Sequence, residues 1–229
     1  GASYNSKSTI VKLNRYILNM NLTETILPMP DDYEGKVIAT LLRADSTAPS
    51  DRAVLYLHGY IDYFFQTHMA ERFAGEEWNF YALDLRKYGR SLLPHQHAYY
   101  CRDLHEYFPE IDAALERIAS DGNTDITLLG HSTGGLIAAL YAAQGRERMK
   151  VNRLVLNSPF FAFNVGWFKR AVAVPAAAWL SRLMPYAAKR NELSPLYYVS
   201  VHRSMKGEWD FDPRLKPRQG VPLYFAWLG

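Results

Sequence analysis

Five residues, Gly130-His131-Ser132-Thr133-Gly134, constrain this chain more than any other stretch. They follow Asp125-Ile126-Thr127-Leu128-Leu129, a short apolar β-rich run entered through the turn signal Asp121-Gly122-Asn123. They precede Gly135-Leu136-Ile137-Ala138-Ala139-Leu140-Tyr141-Ala142-Ala143, a continuous apolar helix former closed by Gly145. Strand, tight turn and helix in that order lift one side chain, Ser132, above the end of the strand. Bulk two residues before or after the serine would clash in such a turn, which gives both glycines a mechanical reason. The helix then points its first amides at the same spot and favours negative charge there. The pattern is a nucleophile elbow with Ser132 as the candidate nucleophile.

The rest of the chain supports an α/β architecture built around that turn. Lys36–Leu42 reads as a strand after the Glu34-Gly35 turn, with a hairpin partner within Leu22–Leu27 closed off by Pro28 and Pro30. Ala53–Leu57 and Trp78–Leu83 read as buried strands separated by a helix around Thr67–Glu77. A helix is predicted over Asp103–Ala119, with Tyr107, Ile111, Ala114, Leu115 and Ile118 on one face. The strand Val151–Leu156 follows the elbow helix. Strands alternating with helices imply a mostly parallel sheet with helices on both faces.

From Phe160 the character changes to aromatic and Ala-rich segments broken by Pro175, Pro185 and Pro195. The expected organisation is a core over residues 1–159, a helical cap or lid over 160–203, and a return to the core over 204–229. The closing run Val221–Gly229 reads as the opening of an apolar helix.

Charge is unevenly spread. Residues 1–144 carry a balance of −6 and residues 145–203 one of +8, within an overall +3. The basic block either forms a solvated face or approaches an anionic lipid surface. No interleaving of aromatic and basic residues points to nucleic acid. The single Cys101 excludes an internal disulfide framework and fits a reducing, cytoplasmic compartment. No cofactor or metal is expected.

Three strand-end motifs now stand in order: His58-Gly59-Tyr60, Asp84-Leu85-Arg86-Lys87-Tyr88-Gly89-Arg90-Ser91, and the elbow. Together with Leu156-Asn157-Ser158-Pro159 they resemble the α/β-hydrolase superfamily, in its monoacylglycerol lipase, lysophospholipase and serine aminopeptidase group. The resemblance covers residues 35–160. It implies an oxyanion hole made by the backbone amides of Tyr60 and Thr133, with His58 shaping the loop rather than acting as base. It implies that Asp84, Arg86 and Arg90 brace the loop after the fourth strand. The implied activity is hydrolysis of a small-molecule carboxylic ester, lipid-like in view of the apolar cap, through an acyl-enzyme on Ser132. A peptidase or amidase of the same fold and a non-catalytic apolar-ligand-binding module are the alternatives.

In this fold the acid and then the histidine follow the serine. After Ser132 the only histidine is His202, and only Glu147 and Glu192 lie between them. Glu147 sits in the loop beyond the elbow helix, and Glu192 and His202 fall in the cap segment, so a Ser132-Glu192-His202 triad is not favoured. The expectation is a chain truncated before its last core strands. Its acid and base would lie beyond Gly229, and this stretch would be inactive alone.

Overall fold

In the computed structural model, residues 22–162, 166–167, 169–191 and 221–224 are described. Six strands form one mixed sheet in the order β1-β2-β4-β3-β5-β6. These are β1 (Thr23–Asp32), β2 (Gly35–Ala44), β3 (Arg52–Leu57), β4 (Asn79–Asp84), β5 (Asp125–His131) and β6 (Val151–Asn157). The β1–β2 and β2–β4 pairs are antiparallel, whereas β3–β4, β3–β5 and β5–β6 are parallel.

The parallel centre explains the sequence pattern. β3 and β4 have apolar layers on both faces, so they read as continuous hydrophobic runs rather than alternating ones. Leu55 and Leu57 point to one face, where helices α2 (Phe108–Ser120) and α3 (Thr133–Gln144) contribute Ile111, Leu115, Ile118, Ile137 and Tyr141. Val54 and Tyr56 point to the other, against α1 (Thr67–Gly75) and the Phe64–Phe80 pair. The five positions expected on one helical face, from Tyr107 to Ile118, are all fully buried. The helix itself starts later than its pattern. Leu104–Tyr107 is a 3₁₀ turn capped by the Asp103 carboxylate, which accepts from the His105 amide, and Pro109 opens α2.

Two expectations are corrected. β1 does not stop before Pro28 and Pro30 but runs through both to Asp32. It is an edge strand, where a missing amide donor costs little. The run at 221–224 is not the opening of a helix. It forms strand β8 (Val221–Tyr224), antiparallel to β7 (Ala188–Asn191), in a separate two-stranded sheet. Short apolar runs of this kind fit either state, and pairing decides. After β6, a π-turn over Lys169–Ala173 leads into α4 (Val174–Leu183), with Pro175 in its first turn. Among the described residues no helix is long and apolar enough to cross a membrane.

Part of the basic block is paired with carboxylates. Arg146 pairs with Glu116 and Glu147, Lys150 with Glu147, and Arg153 with Asp125.

Candidate active site

The parallel strands end together, and each end carries one of the strand-end motifs. β3 delivers His58-Gly59-Tyr60, β4 delivers Asp84, β5 delivers Ser132 and β6 delivers Asn157-Ser158-Pro159. In open α/β sheets this carboxyl edge is where ligands bind.

Ser132 sits between β5 and α3 with φ 53° and ψ −118°, a conformation that a residue with a Cβ rarely adopts. Its neighbours over-determine it. The Ser132 amide donates to the Asn157 carbonyl at 3.0 Å. Its own carbonyl accepts from Gly135 at 3.0 Å and from Phe160 at 2.9 Å. A Cβ on Gly130 would lie 2.7 Å from the Gly135 Cα and overlap the Gly134 carbonyl. One on Gly134 would overlap the carbonyls of Leu57 and His58. The first turn of α3 is therefore pressed onto the end of β3, and only glycine permits that approach.

The loop after β3 passes beside the serine: a Cβ on Gly59 would stand 3.2 Å from the Ser132 Cβ. The structure thus brings Tyr60, Ser132 and Thr133 to one end of the sheet. Tyr60 is partly buried in the loop, and Thr133 is buried as the first residue of α3. Thr133 lies in the first turn, where an amide has no intrahelical acceptor.

His58 is fully committed. Its Nδ1 faces the Gly59 carbonyl at 2.8 Å, and its Nε2 accepts from the Leu85 amide at 3.1 Å. Burial holds its pKa below the ordinary histidine value, so the ring stays neutral and donates through Nδ1. Among the described residues the Ser132 hydroxyl has no hydrogen-bonded base, while Glu192 and His202 lie outside them.

The Asp84 motif holds its own loop, where the Arg90 amide donates to Asp84 Oδ2 at 3.2 Å, and it reaches a second loop as well. Asp84 is fully buried; its Oδ1 accepts from the Phe64 amide and its Oδ2 from Arg90 Nη1, both at 2.9 Å. Arg90 Nη1 also donates to the Phe64 carbonyl at 3.0 Å. The pair therefore anchors the loop after β3, beside the serine, as well as its own. Arg86 turns away instead and pairs with the buried Glu110 of α2.

The sequence assigned no role to two further groups. Lys87 is fully buried, with Nζ 2.8 Å from Asp32 and 2.6 Å from Glu34, and it ties the β1–β2 turn to the sheet's carboxyl edge. Asp62 accepts backbone hydrogen bonds from Gly59 and Tyr63; burial, reinforced by the Asp84 charge, pushes its pKa up to about 7. Lys87 lies within the Asp84–Ser91 motif and Asp62 in none, and the role of each depends on a partner brought near by the fold. Cys101 is buried, and burial pushes its thiol up to about 12. Among the described residues no cluster of His, Cys, Asp and Glu is arranged to hold a metal ion.

A family model described as serine aminopeptidase, S33, matches residues 48–216. The chain belongs to this family of α/β-hydrolases. No curated protein is significantly similar in sequence. Among solved structures, a soluble variant of monoglyceride lipase from Saccharomyces cerevisiae, in complex with a substrate analog, superposes with a TM-score of 0.63 at 17% identity. That match covers 92% of this chain and 66% of the lipase. A highly thermostable carboxyl esterase from Bacillus coagulans, in complex with glycerol, matches with a TM-score of 0.54 at 16% identity, over 79% of this chain and 56% of the esterase. A probable hydrolytic enzyme from Pseudomonas aeruginosa gives 0.51 at 19% identity, over 78% and 58%. At these identities the likeness is one of fold, and this chain spans between about half and two thirds of each relative's length.

Proposed function

We propose that this chain carries the nucleophile and oxyanion hole of a serine hydrolase acting on carboxylic esters of lipid-like substrates. The observation that carries the reading is the backbone of Ser132, held at φ 53° between β5 and α3 beside the Gly59 loop. Strain of this kind persists only where the surroundings enforce it, and it gathers at reactive residues. In the proposed reaction Ser132 Oγ attacks the ester carbonyl. The amides of Tyr60 and Thr133 stabilise the oxyanion, the alcohol leaves, and water releases the acid from the acyl-enzyme. The general base that takes the serine proton is not among the described residues. The lipid bias rests on the apolar cap segment, where Trp167, Trp179 and Leu183 are exposed. We place the cap over 160–203 and the hydrolase core over 1–159.

The family description favours a second reading, cleavage of amides by an aminopeptidase-like site. A fluorophosphonate probe followed by peptide mapping tests the shared chemistry. Label on Ser132, lost in Ser132→Ala, is expected of the full-length protein, and an unmodified Ser132 there would sink both hydrolase readings. It would leave the non-catalytic binding module. A panel of acyl esters against aminoacyl amides then separates esterase from amidase.

A further inference from the structure

Tyr60 enters the reading above through its backbone amide alone, yet its side chain has an address of its own. The Tyr224 backbone amide of β8 donates to the Tyr60 phenol oxygen. The Tyr60 ring stands edge-on to Tyr99 at 6.0 Å and to Tyr88 at 6.5 Å. Both neighbours are themselves fixed. Tyr88 is buried against the His58 ring at 4.8 Å, and the Tyr99 amide donates to the Lys87 carbonyl at 3.0 Å.

The small sheet is seated by the same cluster. The buried Tyr224 ring packs edge-on against the fully buried Tyr100 at 4.9 Å. Tyr186, just before β7, meets the same Tyr100 ring at 4.8 Å and stacks on His97 at 4.1 Å. The β7–β8 sheet therefore touches the core at Tyr100, at His97 and at the loop that flanks Ser132.

Resting on the nucleophile reading, we propose that Tyr60 is a positioning residue. Its side chain ties the oxyanion amide of the same residue to the β7–β8 sheet. The physical argument is short. Only two torsions separate the ring from the backbone, so fixing ring and hydroxyl limits where the amide can point. A partly buried phenol favours a polar partner, and the Tyr224 amide is one. If β8 moves, that partner goes with it, and the loop must rearrange to satisfy the hydroxyl. Displacing a catalytic group by about 1 Å costs on the order of 100-fold in rate. Movement of the small sheet thus changes the reactivity of Ser132 and not merely access to it.

The test is Tyr60→Phe, which keeps the ring and the amide and removes the phenol oxygen. The readout is fluorophosphonate labelling of Ser132 in the full-length protein, resolved into probe affinity and saturating rate. The expected result is a saturating rate lower by roughly ten-fold or more, for a displacement of less than 1 Å, with probe affinity unchanged. Tyr141→Phe is the control. It deletes another buried phenol, which bonds Asp112 at 2.5 Å, and it should label at the wild-type rate. A Tyr60→Phe variant that labels as fast as wild type, or slows only as much as Tyr141→Phe, overturns the positioning role alone. A wild type whose Ser132 never labels overturns the nucleophile reading, and this proposal with it.

Discussion

Asp84 and Arg90 stand 2.9 Å apart and share a third residue, Phe64, whose amide bonds the acid and whose carbonyl bonds the base. Removing one partner of a buried pair typically costs about 3–5 kcal/mol, most where the other charge is left unpaired, and here Arg90 keeps Glu24 at 2.9 Å. The Arg90 side chain is 25% exposed and can recruit water, so the low end applies. Asp84→Asn is therefore expected to lower stability by about 3 kcal/mol. The check is a fall in urea midpoint with an unchanged slope.

The glycines of the elbow and the glycine that closes α1 should respond oppositely to a methyl group. Gly130→Ala forces backbone atoms at the β5–α3 junction apart, which is expected to destabilise by roughly 3 kcal/mol or more, since the obstacle is backbone rather than a flexible side chain. Gly75 has nothing within 4 Å of its would-be Cβ. Gly75→Ala is expected to be neutral or to stabilise by about 0.5 kcal/mol through the unfolded chain. Thermal unfolding of the two variants side by side decides the matter.

How much of this was legible in the sequence follows from the range of each interaction. The elbow and its flanking strand and helix depend on residues within about ten positions of Ser132, and the sequence shows them directly. The one-sided face of α2 is equally local. The Asp84–Phe64 and Lys87–Asp32 contacts join residues 20 and 55 positions apart, and no local pattern announces them. Pro28 and Pro30 misled for a related reason: a proline ends a strand only if the partner side needs its amide, and β1 is an edge. The 221–224 run is an apolar segment too short for periodicity to separate helix from strand, and its state is set by pairing with β7.

His58 and Asp62 lie in one loop and should drive stability in opposite directions with pH. Asp62 titrates near 7 in the fold and near 4 when unfolded, so between these values the folded state holds the extra proton. Its contribution to stability is present at the acidic end and is lost as pH rises through about 7. His58 is held neutral, so below its unfolded value the unfolded chain binds a proton that the fold resists, and stability falls as pH drops. Asp62→Asn removes the first effect and keeps the second. Its melting temperature should gain on wild type between pH 5 and pH 7.5. Parallel curves for the two proteins would show that the Asp62 carboxyl is not shifted.

Cys101 is expected to ignore thiol reagents in the folded protein. Only the thiolate reacts, and a buried thiol pushed up to about 12 is almost entirely protonated at neutral pH. Ellman's reagent should report no free thiol under native conditions and one after denaturation. Fast native reaction would place Cys101 at the surface.

The elbow should carry a measurable cost in the backbone of Ser132. A residue with a Cβ held at φ 53° and ψ −118° is strained by about 1–3 kcal/mol, whereas glycine occupies such a conformation freely. Against that relief stands the entropy that glycine adds to the unfolded chain, about 0.5–1 kcal/mol. Ser132→Ala keeps the Cβ and the strain, while Ser132→Gly removes both, and each lacks the hydroxyl. The glycine variant is therefore expected to be the more stable of the two by about 1 kcal/mol, the reverse of the usual order for an alanine–glycine pair. Urea denaturation of both variants measures the difference. A glycine variant less stable than the alanine one by the usual 0.5–1 kcal/mol would mean that the turn is relaxed, and would remove the main physical support for Ser132 as a nucleophile.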